Sequence, residues 1–256
     1  MLFPEFSAPI PPDHAVDWQR LEERFPWLAA MRDCPQAPEH HGEGDVFIHT
    51  TMVVEALLAS EAYRSSTRDV QEILFAAALL HDVGKPSTTK IELDRLTARG
   101  HAGRGEIMAR RILWELGATI NAREQVAQLI RAHELPFFLI DREDSERLAI
   151  GLSQTVTARL LATLAEADAR GRISPDTNRL LDNIELFREL TCELGCESQP
   201  YAFPDAHSRF RYFRTPRQPP TLRVHDESRG ELLLLSGLSG TGKDHWIEQN
   251  GGNCPV

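Results

Sequence analysis

The feature that most constrains the fold is the run VQEILFAAALLHD, residues 70–82, which is apolar on almost every side of a helix. A helix that is apolar all round lies in the interior of a protein. Gly84 and Pro86 follow closely and favour the end of such a helix. The sequence therefore predicts a central buried helix that carries a histidine and an aspartate at its C-terminal end.

Apolar residues at helical spacing recur on both sides of this run, which predicts a mostly α-helical bundle. The patterns cover residues 14–24, 26–32, 46–64, 102–117, 122–134, 141–154, 156–172 and 176–195. Asp45 is the expected N-cap of the pattern that begins at residue 46. The stretch TTKIELDRLTAR, residues 88–99, instead alternates around a turn-like Leu-Asp pair and predicts a small β-hairpin on the surface.

Charge and composition exclude several classes of protein. The formal net charge of −10 argues against a protein that coats duplex nucleic acid, although it leaves room for local capture of one strand end. No apolar run reaches the roughly 18 residues of a membrane span, and the N-terminus lacks the order of a signal peptide. We therefore expect a cytoplasmic protein with no membrane partner.

The cysteines show no CxxC spacing and are expected to be free thiols: Cys34, Cys192, Cys196 and Cys254.

The His81–Asp82 pair at the end of the buried run needs a positively charged partner. An ionised carboxylate that leaves water costs on the order of several kcal/mol unless an opposite charge or a metal ion compensates. His49 lies on the apolar face of its helix, His133 ends another helix, and Asp168 interrupts the apolar face of a third. Histidine and aspartate without cysteine suit Mn, Fe, Co, Ni or Zn. A transition-metal ion is the expected partner.

Two basic residues follow these candidate ligands at helical spacing. Lys85 comes about one turn after the His–Asp pair, and Arg172 lies four residues beyond Asp168 on the same face. A metal ion with a lysine and an arginine is what a phosphoryl group with developing negative charge requires. The pattern therefore indicates phosphate chemistry.

The order of His49, His81–Asp82 and Asp168 resembles that of the HD superfamily of metal-dependent phosphohydrolases. LLHDVGKP, residues 79–86, looks like the version in HD domains attached to tRNA nucleotidyltransferases, and HHGEGDVFIHT, residues 40–50, resembles their approach to the first ligand. The resemblance covers about residues 38–172. The adjacent His–Asp pair alone would carry no weight, but the full spaced set is specific.

The resemblance implies a ligand set and a mechanism. One metal ion would be held by four residues and a second by the extra histidines of two-metal members, with Asp82 as the bridge. The implied metal ligands are His49, His81, Asp82, His101, His133 and Asp168. Lys85 and Arg172 would contact phosphate, and His41 would contact phosphate or protonate the departing oxygen, whereas His40 is expected to be structural. The implied reaction is in-line attack by a metal-bound hydroxide.

A second motif, GLSGTGKD at residues 237–244, fits the pattern G-x-x-x-x-G-K and follows ELLLLS, which reads as a buried strand. The expected nucleotide-binding residues are Gly237, Gly240, Gly242, Lys243 and Asp244. Backbone amides and Lys243 would cradle the phosphates of ATP with Mg. Asp244 departs from the usual pattern because it stands where the magnesium-binding serine or threonine is found.

An HD module before a phosphate loop resembles bacterial bifunctional end-healing enzymes that pair an HD phosphohydrolase with a polynucleotide kinase. We therefore expect an HD domain at residues 1–197, a linker or wrapping segment at 198–228, and the incomplete start of an α/β P-loop kinase domain at 229–256. Either the chain would continue covalently into the rest of that kinase, or the phosphate loop would be a vestige. Aromatic and arginine side chains of the linker would bind RNA or pack the linker against the core.

The function implied is removal of 2′,3′-cyclic, 2′ or 3′ phosphates from RNA 3′ ends or small phosphoesters, with two divalent transition-metal ions as cofactors. Two alternatives stay open. One is an HD phosphohydrolase that acts on mononucleotides. The other is a regulatory nucleotide-binding module whose metal ions are structural and which hydrolyses nothing.

Overall fold

The computed structural model describes residues 2–3, 8–9, 15–93, 95–227 and 232–251. It divides into two compact units, Met1–Ala202 and Phe203–Val256. The first unit is helical apart from one hairpin. In chain order its elements are α1 (Trp18–Arg24), α2 (Pro26–Ala29), α3 (Val46–Ala59), α4 (Glu61–Arg64), α5 (Arg68–Leu80), α6 (Lys85–Thr88), β1 (Lys90–Glu92), β2 (Arg95–Thr97), α7 (His101–Glu115), α8 (Ile120–Ala132), α9 (Leu135–Phe138), α10 (Ser145–Ser153), α11 (Ala158–Arg170) and α12 (Thr177–Glu193).

Helix α5 is the centre of this unit, as its composition predicts. Every residue from Ile73 to Leu80 is buried, and α3, α8 and α11 pack against it. Helix α7 packs on α8, and α12 packs on α11. The mostly helical fold class is therefore confirmed for the first unit, and the end of α5 lies deep among the surrounding helices.

The end of α5 differs in detail from the prediction. The helix ends at Leu80, and His81 to Gly84 form a turn before α6 begins. Pro86 occupies the first turn of α6, where the missing N–H has no partner to lose, so it starts a helix instead of ending one. Gly84 lets this turn approach α7, because a Cβ atom there would lie 2.7 Å from the Gly105 nitrogen and even nearer the His101 carbonyl oxygen.

The long helix predicted at residues 46–64 is two helices. Asp45 caps α3 as expected, since its Oδ1 accepts a hydrogen bond of 2.8 Å from the Ile48 nitrogen. Ser60 then adopts an extended conformation and caps α4 by accepting a hydrogen bond from the Tyr63 nitrogen. A serine that bonds to the backbone nearby competes with the helix interior, which explains the break.

The predicted β-hairpin is present. Strands β1 and β2 are antiparallel, with Lys90 opposite Thr97 and Ile91 opposite Leu96. Leu93 has a φ of 50° in the turn, and Asp94 lies outside the described residues. The hairpin joins α6 to α7, so it immediately precedes the histidine at the start of α7.

The second unit contains α13 (Ala206–Arg214) and α14 (Lys243–Asn250). Helix α13 lies within the segment predicted as a linker, where its short length hid the helical period. Its Tyr212 is buried and packs on Phe203 at 5.2 Å between ring centroids, while Phe210 is 49% exposed. Of the aromatics in this segment, Tyr212 thus packs inward and Phe210 faces solvent.

The strand predicted for ELLLLS is wrong over its described residues, because residues 232–238 form no strand. A strand of this buried type needs neighbouring strands for its backbone and its side chains. The described part of the second unit supplies none, and Leu232 and Leu234 are 92% and 87% exposed. Glu231 lies outside the described residues.

Three of the cysteines, Cys34, Cys192 and Cys196, are free thiols as expected, and Cys254 lies outside the described residues. In the part of the chain that the structure describes, no single helix has both the length and the apolar character to cross a membrane. The helices α10 and α11 meet those two criteria only when taken together, and they are bent by 109°.

Candidate metal centre

The six predicted ligands come together at the C-terminal end of α5. His81 and Asp82 occupy the turn after α5, His49 comes from the first turn of α3, and Asp168 from the last turn of α11. His101 is the first residue of α7, and His133 directly follows α8. All six side chains are buried among described residues. Residues that are far apart in sequence therefore form one polar cluster inside the helical core.

Three of the histidines are oriented by their own backbone. The Nδ1 atoms of His81, His101 and His133 lie 2.8, 2.9 and 2.8 Å from the carbonyl oxygens of Ala78, Ala98 and Ile130, each three residues earlier. Because a carbonyl oxygen only accepts, each Nδ1 carries the proton and donates it. Each Nε2 is then left with a lone pair that faces the cluster, which is the usual preparation of a histidine ligand.

His49 is oriented in the same sense by a carboxylate. Its Nδ1 lies 2.9 Å from Oε1 of Glu43 and 3.2 Å from the carbonyl oxygen of Gly171. Both partners accept, so Nδ1 carries the proton. Its Nε2 lies 3.1 Å from Oδ1 of Asp168 and 3.3 Å from Nε2 of His81.

The cluster as it stands brings lone pairs together. The Nε2 atoms of His49 and His81 are 3.3 Å apart, and those of His101 and His133 are 3.4 Å apart, yet in each pair both protons are on Nδ1. Two nitrogen lone pairs at this separation repel each other. A cation that accepts both converts the repulsion into coordination.

Asp82 lies between the two histidine pairs. Its Oδ2 is 3.2 Å from Nε2 of His81 and 3.7 Å from Nε2 of His49, and its Oδ1 is 3.4 Å from Nε2 of His101. Neither oxygen accepts a hydrogen bond of good geometry from the described residues. The ammonium of Lys85 lies near Oδ2, but a carboxylate has lone pairs on both oxygens, so both can still coordinate a metal cation.

The donor atoms therefore fit two cations. His49, His81 and Asp82 form one set with ligand atoms within 4.8 Å of one another, and Asp82, His101 and His133 form a second. Asp168 is not a member of either set, but its Oδ1 lies 3.1 Å from Nε2 of His49 in the first. The carboxylates also favour positive charge here. Burial opposes the protonation of His81, but Asp82 and Asp168 outweigh burial and raise its pKa.

Arg172 forms a two-pronged ion pair with Asp168. Its Nε and Nη2 atoms donate to the two carboxylate oxygens at 2.9 and 2.7 Å, and its guanidinium lies 4.8 Å from the ring centroid of Phe137. Burial would raise the pKa of Asp168, but Arg172 and His49 overcome it and hold the pKa well below its ordinary value. Asp168 is therefore an ionised carboxylate.

Lys85 is the charged partner of Asp82. Its Nζ lies 2.7 Å from Oδ2 of Asp82 and donates a 2.7 Å hydrogen bond to Oε1 of Gln36. Burial again opposes ionisation of Asp82, and Lys85 and His81 outweigh it, so the pKa of Asp82 is well below its ordinary value. Sequence reasoning missed Gln36, because no local pattern links it to a lysine 49 residues away.

Glu43 is a second residue that sequence reasoning missed. Its fully buried carboxylate accepts hydrogen bonds from Nδ1 of His41 at 2.8 Å, from Nδ1 of His49 at 2.9 Å and from the Ile173 backbone at 2.8 Å. These bonds outweigh the effect of burial and lower the pKa of Glu43. Burial lowers the pKa of His41 to about 4, against the opposing effect of Glu43. The sequence did contain a signal for Glu43, because this acidic residue lies between the candidate histidines His41 and His49.

A cleft of about 490 Å³ opens beside the cluster. One part of its lining is polar, and it includes Gln36, His41, Lys85, His101, Glu134 and Arg172. Other lining side chains are apolar, basic, hydroxyl-bearing or acidic, and they include Leu96, Arg99, Phe138, Asp176, Arg179 and Leu180. Both predicted phosphate contacts, Lys85 and Arg172, thus reach the cleft, as does His41. His40, which was expected to be structural, also lines it and has an exposed side chain.

The predicted phosphate loop lies in the second unit. Gly240 and Gly242 have φ angles of +79° and +85°, and α14 begins directly after them. The Nζ atom of Lys243 donates to the carbonyl oxygens of Gly237 and Leu238 at 3.0 and 2.8 Å. Lys243 therefore folds back over the loop, and Asp244 lies in the first turn of α14.

The fold and the cluster define a class of protein: a helical domain whose buried histidines and aspartates can hold divalent metal ions. Residues 46–170 match the family model of the HD domain. The match spans the segment from the start of α3 to the end of α11, and so contains His49, the His81–Asp82 pair and Asp168. This segment is therefore similar to the HD domain, and that similarity suggests a metal-dependent hydrolase.

The chain is also similar to several curated proteins named multifunctional CCA protein. It is 30% identical to that of Ralstonia nicotianae over 210 residues, which are 75% of this chain and 44% of the relative. It is 34% identical to that of Halorhodospira halophila over 113 residues, and 39% identical to that of Hahella chejuensis over 77 residues. These alignments cover 44% and 30% of this chain, and 25% and 16% of the relatives. The chain thus spans less than half the length of these relatives.

Proposed function

We propose that this chain is a metal-dependent phosphohydrolase that removes 2′,3′-cyclic, 2′ or 3′ phosphates from RNA ends. The observation that carries the proposal is the position of Asp82. Its two carboxylate oxygens lie between two pairs of imidazole nitrogens, beside a cleft that Lys85 and Arg172 line. This arrangement combines sites for two cations with positive side chains for a phosphate group.

His49, His81, Asp82 and Asp168 would hold one divalent ion, and Asp82, His101 and His133 a second. The metals suited to these ligands are Mn, Co, Ni, Fe and Zn. When bound, such ions lower the pKa of water towards about 7 and neutralise phosphate oxygens. Asp82, as the shared ligand, would fix the two ions relative to each other.

The remaining side chains would act on the substrate. Lys85 and Arg172 would donate to the non-bridging oxygens of the phosphate, since both line the cleft and both are already held by a carboxylate. His41 donates its Nδ1 proton to Glu43, so its Nε2 is the atom left for the substrate. In its protonated form His41 would contact a phosphate oxygen or protonate the departing ribose oxygen, and the carboxylate of Glu43 would stabilise that form against the burial that lowers its pKa.

Two observations support RNA as the substrate. First, LLHDVGKP resembles the corresponding stretch of HD domains attached to tRNA nucleotidyltransferases, and the similar curated proteins carry the name multifunctional CCA protein. Second, besides the two predicted phosphate contacts, the wall of the cleft includes apolar and arginine side chains, namely Leu96, Phe138, Leu180, Arg99 and Arg179. A phosphate alone would not need this additional wall.

The test is hydrolysis by the purified chain with each of the five metals in turn. The substrates are RNA oligonucleotides with 2′,3′-cyclic, 2′ or 3′ phosphate ends, and mononucleotides with the same groups. We expect turnover of the oligonucleotide ends that depends on the metal and is lost in His81→Ala. A clear preference for mononucleotides would instead support a nucleotide phosphohydrolase. Bound metal without hydrolysis of any phosphoester would support a regulatory module.

We also propose that residues 237–244 are a phosphate loop that binds ATP with Mg, as the start of a kinase domain at 229–256. The positive φ angles of Gly240 and Gly242 and the position of Lys243 at the start of α14 support this. In the protein, Lys243→Ala should weaken binding of a fluorescent ATP analogue, while Lys90→Ala, an exposed lysine of β1, should not. Equal binding by both variants would contradict the proposal.

A further inference from the structure

Phe138 is a large apolar side chain exposed on the wall of the cleft. Its ring is 49% exposed, although phenylalanine is usually buried. It belongs to α9, which begins two residues after His133. The same short stretch of chain therefore supplies a candidate metal ligand and, five residues later, an exposed aromatic ring in the same cleft.

Helix α9 is held firmly in place. The side-chain amide of the buried Asn183 in α12 donates a 2.7 Å hydrogen bond to the carbonyl oxygen of Phe137. The ring of Phe137 is fully buried beneath the guanidinium of Arg172, and the ring of Phe138 packs edge-on against it at 6.0 Å. Phe138 is thus a preorganised surface beside the arginine that we assign to phosphate binding.

The surroundings of Phe138 suit more than a phosphate group. Leu96 and Leu180 add apolar surface to the cleft. Arg99 and Arg179 add positive charge, which Asp176 offsets in part because it also lines the cleft, 3.9 Å from Arg179. An aromatic ring with arginines nearby is the combination that binds a base and its adjoining backbone in single-stranded nucleic acid. The chemistry of this wall therefore fits a nucleotide whose phosphate lies at the polar end of the cleft.

We propose that Phe138 is a stacking platform for the base of the nucleotide that carries the terminal phosphate. This inference rests on the proposed function and adds a specificity-determining residue to it. Because every base presents a flat face, the platform would favour a nucleotide end over a simple sugar phosphate without selecting among the bases.

The experiment compares two RNA oligonucleotides that end in a 2′,3′-cyclic phosphate, one with its terminal base and one abasic at that position. The unsubstituted chain should prefer the base-bearing end. In Phe138→Ala, the ratio of kcat/KM for the base-bearing end to that for the abasic end should fall by about tenfold, the order of one stacking contact. Phe138→Trp should retain the preference, because it keeps an aromatic face.

Leu135→Ala is the matched control. Leu135 lies in the same helix and is 45% exposed, but it does not line the cleft. It should leave the preference unchanged. An unaltered ratio in Phe138→Ala, or an equal loss in Leu135→Ala, would overturn the platform.

Direct binding separates this inference from the proposed function. If no phosphoester is hydrolysed, fluorescence anisotropy of a labelled RNA end still measures the contribution of the terminal base. Tighter binding of the base-bearing end that disappears in Phe138→Ala would support the platform while the hydrolase proposal fails. No difference between the two ends in the unsubstituted chain would overturn the platform itself.

Discussion

The Nε2 atoms of His101 and His133 lie 3.4 Å apart, although each ring has already committed its Nδ1 proton to a backbone carbonyl. His49 and His81 repeat the arrangement at 3.3 Å. Burial lowers the pKa of His133 to about 4, so protonation does not relieve the repulsion in its pair at neutral pH, whereas Asp82 and Asp168 raise the pKa of His81. For His101 and His133 a shared metal cation is the arrangement that removes the repulsion, and such a cation underlies our expectations for His81, Asp82 and Glu43.

Loss of a metal ligand should remove both metal and activity. In His81→Ala we expect metal content, measured by mass spectrometry of the dialysed protein, to fall together with an activity loss of at least about 100-fold, the upper range for a supporting residue. His225→Ala replaces an exposed histidine of the second unit and should change neither. Full metal content in His81→Ala would contradict its assignment as a ligand.

Metal binding should also stabilise the fold. A ligand that binds only the folded state at about 100 times its Kd contributes about 2.7 kcal/mol. We expect a chelator to lower the Tm of the purified protein by several degrees and Mn²⁺ to restore it. The shift should be absent in Asp82→Ala, because that variant removes the residue shared by both sets of ligands. An equal shift in both proteins would place the ion elsewhere.

Substitution of Lys85 or Arg172 should have a different effect from substitution of a candidate metal ligand. In Lys85→Ala or Arg172→Ala we expect metal to stay bound while kcat/KM falls by about 100-fold, the order of one lost donor to a developing charge. Lys90→Ala, which removes an exposed lysine of β1, should be neutral. Loss of metal from Lys85→Ala or Arg172→Ala would show that our division of roles is wrong.

Glu43 should act by positioning two histidines. In Glu43→Gln, the negative charge is lost and one oxygen becomes an NH2 group, which would face either the donor N–H of Ile173 or the two donor Nδ1–H groups of His41 and His49. We expect the affinity for Mn²⁺ to fall by about 10- to 100-fold in a titration, as for other partners of metal-bound histidines. Glu39→Gln, at an exposed position nearby, is the control. Unchanged affinity in Glu43→Gln would leave Glu43 a purely structural role.

Tyr63 should make the fold sensitive to alkali. Burial raises the pKa of its phenol from 10 to about 12, so above pH 10 the unfolded chain loses a proton that the folded chain retains. Stability is therefore complete below pH 10 and falls as the pH rises towards 12. Between about pH 9 and about pH 11 this contributes a loss of about 1.4 kcal/mol. The free energy of unfolding, measured in urea at each pH, should fall between these values in the unsubstituted chain and should not show this fall in Tyr63→Phe. The same dependence on pH in both proteins would contradict the prediction.

Helix α13 should contribute to RNA binding through its exposed arginines. We expect the triple variant at Arg209, Arg211 and Arg214, each changed to alanine, to weaken binding of an RNA end and to lower the salt dependence, log K against log salt, by about 2. Hydrolysis of a small phosphoester should not change. The control replaces exposed arginines of the first unit, namely Arg104, Arg111 and Arg142. Equal losses of RNA binding and of small-phosphoester hydrolysis would contradict a role of these arginines in binding RNA.

The sequence predicted the parts of this molecule that short-range rules govern. The apolar run of α5 required a central helix, and the alternation in TTKIELDRLTAR predicted the hairpin, because both follow from the period of the side chains. The ligands came from a spaced pattern and not from local physics. Nothing in the period of α3 or α11 shows that His49 and Asp168 meet, 3.1 Å apart.

The failures arose where a residue depends on distant neighbours. Gln36 and Glu43 matter because of groups brought to them by the fold, Lys85 in one case and Ile173 in the other. The strand predicted from ELLLLS failed for the same reason. A run of leucines shows which side chains are stabilised by burial. The sheet that would bury them is formed with residues elsewhere in a chain, so the run alone does not determine a strand.

Gly84 determines how near the two halves of the centre can come to each other. Because it has no side chain, the turn that bears His81 and Asp82 rests directly on the backbone at the start of α7, where His101 is. A single methyl group at this position would wedge the two apart while leaving every donor atom in the chain. The substitution Gly84→Ala would thus separate the donor set of His49, His81 and Asp82 from His101, so that one bound cation replaces the two that we propose.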